Sequence, residues 1–134
     1  MQLHTFFILY AVSVPVFILC DFIWLGFIAR GFYRAHMGHL MGEVVWVAAI
    51  VFYGLFLLGL TFFASYPAAT KGTLATAMVL GALFGFFTYA TYDLTNLATL
   101  RSWSLTLTIV DILWGTFLGS FVAVCAVALK NMIV

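Results

Sequence analysis

Three aspartates lie well inside apolar stretches of this chain, each beside tryptophan or tyrosine at helical spacing: Asp21, Asp93 and Asp111. An ionised carboxylate in hydrocarbon is costly unless it takes up a proton, a cation or a hydrogen-bond donor. Such groups are candidates for proton binding, cation binding or general acid–base work. Asp21 would share a helical face with Trp24 and Ile28, Asp93 with Tyr89, Tyr92 and Asn96, and Asp111 with Ser104, Thr108, Trp114 and Gly115. Glu43 would form a similar stripe with Trp46, Ile50 and Tyr53. Lipid cannot satisfy stripes of this kind, so they should turn inward. The expected result is a polar chamber. Asp21, Asp93 and Asp111 are its ligand- or proton-binding groups, with Asn96 alongside, and Trp24, Trp46, Tyr53, Tyr89, Tyr92 and Trp114 are its walls. Close carboxylates cannot all ionise cheaply, so a shared proton or a bound cation follows. The plainer alternative is that each acid bonds across helices and only fixes packing.

The elements that position these residues follow from composition. The chain has 134 residues, 66% hydrophobic and only 7% charged. Its mean hydropathy is +1.23. A soluble domain carries about a quarter charged residues, and a membrane span needs roughly 20 apolar ones. Four spans fit, near residues 5–29, 43–66, 73–97 and 104–129. The expected fold is all-α: one transmembrane domain over residues 1–134, an up-down-up-down four-helix bundle with short loops and both termini on one side. The first segment lacks a basic n-region and exceeds the roughly 7–15 residues of a signal-peptide core, so it reads as a retained helix. Pro15 falls near its middle, where a kink is expected. Residues 30–39 read as the first connector, and Pro67 falls in the loop after span two.

In such a bundle all four acids face one side of the membrane. At 1.5 Å per residue, Asp21 lies roughly 13 Å in from Arg30, Asp93 roughly 12 Å from Arg101, and Asp111 roughly 12 Å from Trp103. The three aspartates therefore share one layer, while Glu43 is interfacial. Arg30, Arg34 and Arg101 on that side stand against Lys71, Lys130 and the amino terminus on the other. Three against two favours the first side as cytoplasmic by the positive-inside rule, a margin that the amino group nearly cancels.

Other constellations are weaker. His36, His39 and Glu43 have i, i+3, i+7 spacing, which on a helix would allow a transition metal; interfacial histidines are the commoner explanation. Gly81 with Gly85, and Gly115 with Gly119, are pairs of small residues that allow close helix approach, either within one bundle or as a homodimer face. Cys20 and Cys125 fall at different depths and read as small buried hydrophobes. No basic patch fits nucleic acid. No nucleotide-binding, serine-nucleophile or haem-attachment motif is present, and no cofactor is implied beyond a bound cation.

Asp21-x-x-Trp24, Phe52-Tyr53, the run Tyr89-Ala-Thr-Tyr92-Asp93-Leu94-Thr95-Asn96, Trp103 and Asp111-x-x-Trp114-Gly115 together resemble the bacterial membrane family called domain of unknown function 2177. The resemblance implies a small four-span protein of the bacterial inner membrane and no particular chemistry. The leading functional expectation is proton- or cation-coupled binding or transport of a small or amphiphilic ligand. The competing ones are an enzyme acting on a lipid-like substrate and a non-catalytic accessory or assembly subunit.

Overall fold

Apolar runs of membrane length have no water to satisfy their peptide groups, so each closes its own hydrogen bonds as a helix. The structure, a computed structural model, describes residues 2–133. Four helices are long and apolar enough to cross a membrane: Leu3–Ile28, Trp46–Lys71, Leu74–Thr99 and Leu105–Ile133. The first is α1 (Leu3–Ile23), extended by a π-helical turn, Trp24–Ile28. Helix α1 continues through Pro15. Nearby, the buried Ser13 hydroxyl donates to the Leu9 carbonyl at 2.8 Å.

Two expectations about the connectors change. Residues 30–39 are mostly helical: α2 (Arg30–Met37) is followed by a 3-10 turn, Gly38–Leu40. The second crossing helix starts at Trp46, because residues 41–45 are not helical. It comprises α3 (Trp46–Leu60), a π turn (Thr61–Ser65) and α4 (Tyr66–Lys71). Pro67 thus lies in helix and not in a loop. It sits in the first turn of α4, where a missing N–H leaves nothing unpaired. The Tyr66 N–H reaches back to the Thr61 carbonyl, the wide bond of a π turn.

Helix α5 (Leu74–Thr99) opens with a reciprocal cap. The Thr73 hydroxyl accepts from the Thr76 N–H at 3.2 Å, and the Thr76 hydroxyl accepts from the Thr73 N–H at 3.1 Å. A short turn follows, in which Ser102 takes a left-handed φ of 63°. Helix α6 (Leu105–Ile133) completes the fold.

Helices α5 and α6 meet backbone to backbone. Gly81, Gly85, Gly115 and Gly119 are all buried. A methyl group at Gly81 would overlap the Gly119 carbonyl, one at Gly85 the Gly115 carbonyl, and one at Gly115 the Tyr89 ring. Residue 81 pairs with 119 and 85 with 115, so the two helices run in opposite senses here. These glycines pack between two helices of one chain. Beside them Leu9, Phe17, Leu57, Leu60, Leu118 and Val122 form a dry core. The outer surface is apolar: Phe27 is 73% and Val47 74% exposed. Such a surface suits lipid.

Candidate functional site

At the other end of the same helices the packing changes. Asp21 and Asp111 are buried and Asp93 is 0% exposed. The π turn that follows Asp21 widens the end of α1, a distortion often found at functional sites. Asp21 is held by Tyr53 of α3, whose phenol donates to Asp21 Oδ2 at 2.6 Å. The Trp114 indole nitrogen lies beside Asp21 but completes no hydrogen bond.

Asp111 is held from α2. The Tyr33 phenol donates to Asp111 Oδ1, and the Trp24 indole N–H donates to the same phenol oxygen at 3.1 Å. Burial first, and then the bond to the Asp111 carboxyl, push the Tyr33 phenol well above its usual pKa. Tyr33 therefore remains a donor at any ordinary pH. Trp24 is fixed in turn by stacking on Trp114, with ring centroids 4.3 Å apart and planes 4° from parallel.

Asp93 is the exception. Its carboxyl lies beside that of Asp111 across the α5–α6 interface, and among the described residues neither of its oxygens has a hydrogen-bond partner. Two carboxyl groups can bond to one another only through a proton on one of them.

A cavity of about 550 Å³ opens over Asp21 and Asp111, within the usual size of small-molecule sites. Tyr53, Tyr89, Tyr92, Trp103 and Trp114 supply its aromatic walls. Leu25, Ala49, Phe52 and Leu107 add apolar ones. A smaller hollow of about 320 Å³ shares Phe52, Tyr89, Tyr92 and Asp111 with it and adds Thr88. Helix α2 contributes Arg30, Tyr33, Arg34 and Met37 to the larger cavity, and both arginines are exposed.

The structure thus gathers Asp21, Asp93, Asp111, Tyr53, Tyr89, Tyr92 and Trp114. Trp24 stands behind the cavity and braces Tyr33. Asn96 lies one turn beyond Tyr92 and does not line the cavity. Trp46 does not form a wall: it is 70% exposed. As the first residue of α3 it stands at the helix end, and Ala49 and Tyr53 carry that face into the cavity instead. The Glu43 stripe does not exist, since Glu43 precedes the helix.

The aspartate trio also divides. Among the described residues no three of His, Cys, Asp and Glu are grouped to hold a metal. The site is a carboxyl pair, Asp93 with Asp111, and a separate Asp21 tied to Tyr53. His36, His39 and Glu43 share no helical face, because α2 ends at Met37. His36 instead sets Nδ1 2.9 Å from the Phe32 carbonyl oxygen.

Sequence reasoning missed Tyr33, Trp103, Arg30 and Arg34 as site residues. The i, i+3, i+4, i+7 spacing of Arg30, Tyr33, Arg34 and Met37 is the signal that could have found three of them. Trp103 is buried; its indole donates to the Thr108 hydroxyl at 3.1 Å and meets Tyr92 edge-on.

No curated protein and no solved structure matches the chain. The model of a family described as a predicted membrane protein matches residues 6–128, a stretch that includes every residue of this site. On that match the chain belongs to the predicted membrane protein family called domain of unknown function 2177.

Proposed function

We propose that this chain is a bacterial inner-membrane binding protein or transporter that couples a small or amphiphilic ligand to a proton held between Asp93 and Asp111. In this reading the four long helices cross the bilayer in up-down-up-down order, with both termini on one side. The observation that carries it is Asp93, wholly buried, without any donor, and set against Asp111 under a cavity. Packing alone would favour a leucine or a paired amide at such a position, since an unpartnered buried carboxyl only destabilises. A proton shared by the pair removes both the second charge and the missing donor.

Coupling follows from competition. A hydrogen-bond donor on the ligand that reaches Asp111 takes the place of the proton. Ligand and proton then compete, so affinity falls as pH falls. The groups that face the pair from the surrounding elements are Asp21 of α1, Arg30, Tyr33 and Arg34 of α2, Tyr53 of α3, and Tyr89 and Tyr92 of α5. In this reading the group that titrates is the Asp93–Asp111 pair, since two close carboxyl groups cannot both ionise cheaply. Binding of a detergent-solubilised amphiphile, followed by tryptophan fluorescence across a range of pH, tests the reading. The native chain should lose affinity towards the acid end, and Asp93→Asn should bind with little pH dependence. An unaltered pH profile in Asp93→Asn would overturn it.

A further inference from the structure

The cavity is lined by buried acids and by exposed arginines. The acids are Asp21 and Asp111, each with one phenol donor, from Tyr53 and Tyr33 respectively. A carboxylate has about four acceptor sites, so each keeps free acceptor capacity for a ligand. The arginines are Arg30 and Arg34, one helical turn apart on α2. Residues four apart on a helix lie on one face, and two guanidinium groups so placed suit a phosphate oxygen cluster. Tyr89, Tyr92, Trp103 and Trp114 also line the cavity, and aromatic ring faces attract an ammonium group.

A simple anion would satisfy the arginines and leave the aspartates facing a like charge. A simple cation would satisfy the aspartates and leave the arginines open. We propose that the cavity takes a zwitterion, with a primary ammonium on Asp21 and Asp111 and a phosphate on Arg30 and Arg34. Primary ammonium fits better than quaternary because it offers three N–H donors to the free carboxylate sites. Two sources carry this chemistry: the headgroup of an aminophospholipid, and free phosphoethanolamine. Phe52 and Leu25 line the cavity and are 44% and 42% exposed, which gives an acyl chain a way out into lipid.

This inference rests on the ligand-binding reading above, and headgroup preference separates the two. The full chain in detergent is titrated with phosphatidylethanolamine, phosphatidylglycerol, phosphatidylcholine and water-soluble phosphoethanolamine. Phosphatidylethanolamine should bind at least about tenfold more tightly than either other lipid, on the scale of one charge-assisted hydrogen bond. Asp21→Asn should remove that preference, and Arg30→Gln with Arg34→Gln should weaken all phosphate-bearing probes. The arginine variant alters exposed side chains only, so it reports even if Asp21→Asn folds poorly. Phosphoethanolamine bound with the same preference and the same variant effects supports the zwitterion site with a soluble source. Preference confined to the lipid supports it with a membrane source. Lipids bound without headgroup preference overturn the zwitterion and leave the amphiphile reading standing. No binding by any probe overturns both.

Discussion

Helices α5 and α6 build two unlike regions from one pair. Towards the start of α5, Gly81 and Gly85 bring the backbone directly against Gly119 and Gly115. Two turns further along α5, Asp93 faces Asp111 and the neighbouring helices draw away to leave a cavity of about 550 Å³. Close backbone contact at one end holds the two carboxyl groups together at the other. The difference is one of side-chain chemistry along a continuous helix pair. Glycine at four-residue spacing lets dispersion and backbone contact hold the helices where hydrophobicity gives no drive. Aspartate and aromatic rings at the same spacing leave polar atoms that require a partner.

Substitutions can break either region separately. The largest effect is expected from Gly85→Leu, whose side chain would drive into the Gly115 carbonyl. Overfilling a packed interface costs about 1–3 kcal/mol and more where backbone must move, so thermal unfolding in detergent should show a large loss of stability or no folded protein. Next is Tyr33→Phe. It removes the phenol that donates to Asp111 and leaves the Trp24 indole N–H without its acceptor. Loss of a hydrogen bond to a charged group is worth about 1.5–3 kcal/mol, so ligand affinity should fall by about tenfold or more with the fold retained. Tyr53→Phe should act similarly on Asp21, and measuring both tells whether the two anchoring phenols are equivalent. The smallest effect belongs to Trp46→Ala. This side chain is 70% exposed and outside the cavity, so stability and binding should both stay within about 0.5 kcal/mol. A strong binding defect in Trp46→Ala would mean that α3 presents a different face to the site.

The sequence carried the helical membrane architecture, because apolar runs of span length have one local solution in lipid. The burial of Asp21, Asp93 and Asp111 within their helices also matches the inward-facing stripes expected from helical spacing. Helical spacing correctly grouped Tyr89, Tyr92 and Asp93. It failed where the helix itself was misplaced. Glu43 and Trp46 make a stripe only if residues 41–45 are helical, and they are not. Pro67 looked like a loop residue because a proline breaks a helix interior, whereas a π turn followed by a first-turn position accommodates it. The greatest omission was α2. Residues 30–39 were expected to be a connector, whereas α2 brings Arg30, Tyr33 and Arg34 to the cavity. Which partner each acid would find was not legible at all, since Tyr33 is 78 positions from Asp111 and Tyr53 is 32 from Asp21.

The proposed coupling requires that Asp93 and Asp111 hold one proton between them. Infrared difference spectroscopy of the purified chain reads this directly, through the carbonyl stretch of a protonated carboxyl group at neutral pH. Such a band should appear in the native chain, persist in Asp21→Asn and disappear in Asp93→Asn. A native chain with no protonated carboxyl at neutral pH, or a band that Asp21→Asn removes and Asp93→Asn leaves intact, would contradict it.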